Sequence, residues 1–204
     1  MIESHATVDA SDANGRTALR AAVYGNHENI MKLLIKNGAN INKCDKEGRS
    51  ILQIACYKGH WNIISYLSKY ESLIIHKDHT GRNSLFTCIY TQNRTLRLDI
   101  MKLLLINGCE IDEPDNNNQT VLILAVQEQF IDVVNLLIMQ GADIDANDNY
   151  GYTAITHAVK IKNAQLIEYL LNKNAATHIL DLEGKLKIEF LIFIYLIFLL
   201  LFFR

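Results

Sequence analysis

Residues Asp12–Asn42 read DANGRTALRAAVYGNHENIMKLLIKNGANIN, and the rest of the chain repeats this stretch. An aspartate opens each copy, at Asp12, Asp45, Asp78, Asp115 and Asp148, with a sixth start at Asp181; the intervals are 33, 33, 37, 33 and 33 residues. A period near 33 marks stacked helical modules, each unable to bury its apolar face alone. Within a copy, Gly15, Gly48, Gly81, Gly151 and Gly184 share one phase, with Asn118 in the same slot. Gly and Asn enter positive φ at low cost, so this slot is a tight turn. Two residues on, Thr17, Ser50, Thr120 and Thr153 supply hydroxyls suited to capping a first helix.

That first helix keeps a small inner position at Ala22, Ala55, Cys88, Ala125 and Ala158, as a close approach of neighbouring helices requires. A second helix carries apolar pairs at Leu33-Leu34, Leu103-Leu104, Leu136-Leu137 and Leu170-Leu171. Gly38, Gly108 and Gly141 then end it in left-handed geometry. In the second copy Glu71 falls in that phase, so the turn there is either strained or reshaped, and Glu71→Gly is expected to stabilise the array by about 1 kcal/mol.

The pattern D-x-x-G-x-T-x-L-x-x-A with its Gly-Ala ending resembles the ankyrin repeat family over roughly residues 8–180. The resemblance implies an all-α solenoid of five full helix-turn-helix repeats with hairpin loops, at 12–44, 45–77, 78–114, 115–147 and 148–180. Residues 1–11 read as the end of a partial preceding repeat, since Ala6–Ala10 aligns with Ala142–Ala146. Residues 181–187 start an aborted sixth repeat, and 188–204 form a hydrophobic tail. The third repeat holds four extra residues between its helices; a tolerated surface loop is one reading, a contact through Arg94 and Arg97 the other.

The net charge of -2 provides no basic field for nucleic acid. The four cysteines form no CxxC pair, and Cys88 and Cys109 align with alanines, so they read as reduced small hydrophobes. The start, MIESHATVDA, lacks a secretory signature, which suits a cytoplasmic location. Phosphate-binding, metalloprotease and nucleophile-elbow motifs are missing, so no enzyme, cofactor or metal site is expected. Phe190–Phe203 is an unbroken run of 14 apolar residues. As a helix it would span about 21 Å, less than a bilayer core of about 30 Å. It reads as a short membrane anchor, a cap on the last repeat, or an artefact of a truncated gene model, and any membrane contact is expected through this tail alone.

Function is therefore expected in exposed positions on a fixed frame. Arg16, Arg49 and Arg82 recur at the hairpin tips, and Tyr24, Tyr57 and Tyr90 recur late in the first helix; Gln119, Tyr152, Gln127 and Lys160 replace them further on. The family resemblance places both ladders on the concave, partner-facing side and implies binding of other proteins. Such a strip suits a partner with spaced carboxylates and an apolar residue between them. Arg49 and Tyr57, in the middle, are expected to matter most, and alanine at these positions to leave thermal stability unchanged. Gly15–Ala22, Asn42–Arg49 and the lengthened third repeat also resemble a long ankyrin-repeat scaffold, and that resemblance implies a role in membrane-protein trafficking. The alternative is a tail-anchored membrane protein whose repeats recruit cytosolic partners.

Overall fold

Each first helix begins where a polar side chain satisfies the amides that helical geometry leaves unpaired. Thr17 Oγ1 accepts from the Arg20 amide, opening α1 (Ala18–Tyr24). At α3 (Ile51–Lys58), Ser50 accepts from Gln53 N–H, and Ser50 N–H donates to Gln53 Oε1 at 2.9 Å. Asn83 caps α6 (Ser84–Ile89), Thr120 caps α8 (Val121–Gln127), and Thr153 pairs with Thr156 at the start of α10 (Ala154–Lys160). The second helices are α2 (Glu28–Lys36), α4 (Trp61–Leu67), α7 (Arg97–Ile106), α9 (Ile131–Met139) and α11 (Ala164–Asn172). A short α5 (Glu71–Ile74) follows α4.

This computed structural model describes residues 7–177, and the 188–204 tail and the aborted sixth repeat lie outside them. The fold is all-α; among the described residues, extended pairing is limited to the isolated bridges Ser11–Thr17 and Asn147–Thr153. The chain divides into two compact units at Glu110/Ile111. In the first, α1, α3 and α6 stack in a row, with α2, α4 and α7 behind them. In the second, α8 stacks on α10, with α9 and α11 behind.

The cores are periodic. Leu19, Leu52, Leu85, Leu122 and Ile155 occupy one phase and Met31, Ile64, Met101, Val134 and Ile167 another; all are at most 1 % exposed. Each such side chain contributes about 1.5–3 kcal/mol on burial. The small inner positions Ala22, Ala55, Cys88, Ala125 and Ala158 are buried as well, and Cys109 lies in the core beside them in role. Of the second-helix pairs, Leu104, Leu136, Leu137 and Leu170 are buried, whereas Leu33, on the outermost helix α2, is 59 % exposed.

Left-handed residues fall into three repeat phases. Two are the hairpin slot (Gly15, Gly48, Gly81, Asn118, Gly151) and the second-helix end (Gly38, Gly108, Gly141, Asn174). The third joins the two helices and holds Asn26, Gly59, Gln129 and Lys162. At Gly59 the backbone approach also demands glycine, because a Cβ there would meet the Cβ of Asn93 at 2.4 Å.

Two expectations need correction. Glu71 is not in left-handed geometry: α4 stops early at Leu67, and Glu71 opens α5, which buries Leu73 and Ile74. A glycine at Glu71 has no turn to relieve, and the expected gain from Glu71→Gly does not hold. The insertion of the third repeat forms a 3-10 turn (Arg94–Leu96) leading into α7, and Arg97 is 5 % exposed, so it serves the interior rather than a surface contact. The loop leans on the preceding helix, with Gln92 N–H donating to Tyr57 O at 2.7 Å and Lys58 Nζ to Gln92 Oε1 at 3.0 Å.

Lys162 holds φ 56° without a glycine's freedom. Lys162→Gly should therefore raise stability by about 1 kcal/mol. In equilibrium urea unfolding the midpoint should rise at unchanged slope, and a lower midpoint would contradict this.

Candidate functional site

The site is built on the hairpins, and the hairpins on aspartate. At Asp12, Asp45, Asp78, Asp115 and Asp148, one carboxylate oxygen accepts the backbone N–H groups two and four residues ahead, at 2.8–3.2 Å. The residue four ahead is the ladder position: Arg16, Arg49, Arg82, Gln119 or Tyr152. Its backbone is thus fixed before its side chain meets any partner.

The second carboxylate oxygen is used differently at Asp45, Asp78 and Asp148. Asp45 Oδ2 accepts from Arg20 Nη2 at 3.1 Å, from Arg49 Nε at 2.9 Å, and pairs with Arg49 Nη2 at 2.9 Å. Asp78 Oδ2 is 3.4 Å from Gln53 Nε2, and Asp148 Oδ2 is 2.9 Å from His157 Nε2. Burial acts to raise the pKa of Asp45, but hydrogen bonds from the Arg49 side chain and amide, with the Arg20 guanidinium, outweigh it and hold the carboxyl below its ordinary range.

Four of the six ladder residues meet. Arg16, Tyr24, Arg49 and Tyr57 line one groove of about 370 Å³, together with Arg20, Gln53, Ile54 and Thr87. Tyr24 and Tyr57 are 51 % and 42 % exposed. Arg82 and Tyr90 lie outside this lining: the Arg82 guanidinium sits 5.6 Å from the Phe86 ring, and Tyr90 is exposed just past α6.

The three arginines are not equivalent. Arg49 is occupied by Asp45 and by Glu47, whose Oε2 lies 3.0 Å from Arg49 Nη2. Arg49 therefore braces the hairpin, and alanine there should lower stability, where the ladder alone leads one to expect no change. The Arg16 guanidinium makes no ion pair among the described residues.

Arg20 and Lys58 escaped the ladder reading. Arg20 is held against Asp45, while its Nε is buried and has no hydrogen-bond partner. Lys58 Nζ stands 4.2 Å from the centroid of the Tyr24 ring, a cation–π contact. In the second unit the two ladder phases pair with each other: Lys160 Nζ stands 3.4 Å from the centroid of the Tyr152 ring, and His157 meets that ring edge-on.

The depressed pKa of Asp45 fixes the sign of a pH effect. Its contribution is fully present above the unfolded-state value of about 4 and is lost as pH falls through the lower folded-state value. Asp45→Asn should cost about 2 kcal/mol at neutral pH, and its urea midpoint should fall less between pH 5 and pH 2 (roughly the acid-titration window) than that of the native chain. Parallel pH profiles would contradict the assignment.

The family model for ankyrin repeats, in three copies, matches residues 1–78, 22–111 and 85–181. A search of curated proteins finds no match to the chain.

Proposed function

The chain belongs to the ankyrin-repeat family, whose members are generic protein–protein interaction modules, and we propose that it binds a partner protein in the groove between the hairpins and first helices of its first unit. The observation that carries this reading is the pairing of a guanidinium without an ion pair, Arg16, with two half-exposed tyrosines, Tyr24 and Tyr57, in one groove. Tyr and Arg concentrate binding energy because they offer large rigid contact area and several donors for little lost freedom. Binding rather than catalysis is the role. Arg82 and Tyr90 extend the surface without belonging to its centre.

A scaffolding role in membrane-protein trafficking, in the cytoplasm, is the finer reading, supported by the likeness of Gly15–Ala22, Asn42–Arg49 and the lengthened third repeat to a long ankyrin-repeat scaffold. Tail anchoring is the second reading, and the apolar run Phe190–Phe203 favours it. Among the described residues no helix is long and apolar enough to cross a membrane. Alkaline carbonate extraction of the full chain from membranes separates the two readings, because an integral anchor stays in the pellet.

The binding reading is tested by quantitative capture from cell lysate with the native chain and with Arg16→Ala/Tyr24→Ala/Tyr57→Ala. Specific partners should drop by about tenfold or more, with the melting temperature unchanged, since these side chains lie outside the core. Gln119→Ala/Gln127→Ala serves as the control and should lose nothing. Equal losses in both variants would move the binding surface away from the groove.

A further inference from the structure

We propose that the groove takes an acidic peptide segment, with one carboxylate seated at Arg16 and Arg20 and a neighbouring apolar or aromatic side chain against Tyr24 and Tyr57. This rests on the protein-binding reading and names the partner's chemistry.

Donors outnumber acceptors in this groove. Asp45, the carboxylate behind the groove, is saturated: Oδ1 takes two amides, and Oδ2 takes Arg20 and Arg49. Gln53 has spent its amide oxygen on Ser50 N–H and its nitrogen on the Arg82 carbonyl at 2.8 Å. The Thr87 hydroxyl donates to Asn83 O. What remains open to a ligand is the Arg16 guanidinium and the phenols of Tyr24 and Tyr57, which make no hydrogen bond among the described residues, with the Arg20 guanidinium beside them. Asp45 and Glu47 balance Arg20 and Arg49, which leaves the Arg16 guanidinium without a paired charge, so a further carboxylate supplies the missing acceptor and the missing charge there.

Position agrees with this count. A neighbouring depression of about 330 Å³ is lined by Arg16, Arg20, Ala21, Tyr24 and Gly25. It shares Arg16, Arg20 and Tyr24 with the main groove, so an extended segment crossing from one to the other passes all three. Lys58 over the Tyr24 ring adds positive charge beside that path. A nucleic acid suits the groove less well. Asp12 and Glu47 stand on the hairpins beside Arg16 and Arg49, and a continuous phosphate backbone would run along those carboxylates.

This differs from a ladder of equal arginines. Arg49 braces the wall, Arg82 lies outside the lining, and the reading contact is Arg16 with Arg20.

The test is selection of a random peptide library on the full chain, followed by fluorescence anisotropy on the enriched peptides. Enriched sequences should carry Asp or Glu beside an aromatic or aliphatic residue. Replacing the acid by its amide should weaken binding by about tenfold, as should Arg16→Gln, and Arg16→Lys should recover only part of the loss because it lacks the planar fork. Tyr57→Ala should weaken the same peptides while leaving the melting temperature unchanged. Enrichment of peptides without acids that are still lost on Tyr24→Ala would overturn the acidic partner and keep the groove. Peptides indifferent to every groove variant, or no enriched peptide at all, would overturn the groove and the acidic partner together. Displacement of the peptides by a single-stranded RNA of similar length, sensitive to Arg16→Gln, would assign the groove to nucleic acid instead.

Discussion

An aspartate carboxylate that accepts two backbone amides, two and four residues ahead, is the contact on which the architecture depends. It recurs at Asp12, Asp45, Asp78, Asp115 and Asp148 with nearly constant distances. Hydrogen bonds to a charged acceptor contribute more than neutral ones, about 1.5–3 kcal/mol each. The bonds close the hairpin, and the hairpin sets where the capping residue and its helix begin. Adjacent tips then stack by single amide bonds: Lys46 N–H donates to Asn14 O, His79 N–H to Glu47 O and Asn149 N–H to Asn117 O. Asp45, Asp115 and Asp148 are buried, whereas Asp12, in the first described hairpin, is exposed.

The same carboxylate links frame to function. One oxygen serves the backbone in every module, which leaves the other available for side chains. At Asp45 that oxygen gathers Arg20 and Arg49 and so shapes one wall of the groove; at Asp148 it takes His157, and a Tyr152–Lys160 pair stands nearby. Modules with one backbone plan thereby present different surfaces. We propose that a partner is distinguished by the few side chains that the frame fixes but does not use, foremost Arg16, Tyr24 and Tyr57.

The period, the hairpin glycines and the small inner positions were legible because backbone geometry restricts which residues can occupy them. The Ala22 phase tolerates nothing larger than Cys88, and the Gly15 phase nothing less permissive than Asn118. The turn between helices was not legible, since Asn26, Gln129 and Lys162 fill a left-handed slot that only Gly59 announces. Glu71 misled for the opposite reason. Phase suggested a turn, but burying Leu73 and Ile74 favoured a further helical turn. Arg20 and Lys58 have no periodic counterpart, and their roles arise from Asp45 and Tyr24, 25 and 34 residues away in sequence. A spacing of 33 revealed that Arg16 and Arg49 are equivalent in backbone, but not that Asp45 and Glu47 occupy one of them.

Native-state amide hydrogen exchange on Asp45→Ala tests the clamp most directly, because it reads the two amides that the carboxylate holds. Glu47 and Arg49 should lose protection, the loss should reach the stacked amides of Lys46 and His79, and α8–α11 should keep theirs. Unchanged protection at Glu47 and Arg49 would contradict the clamp.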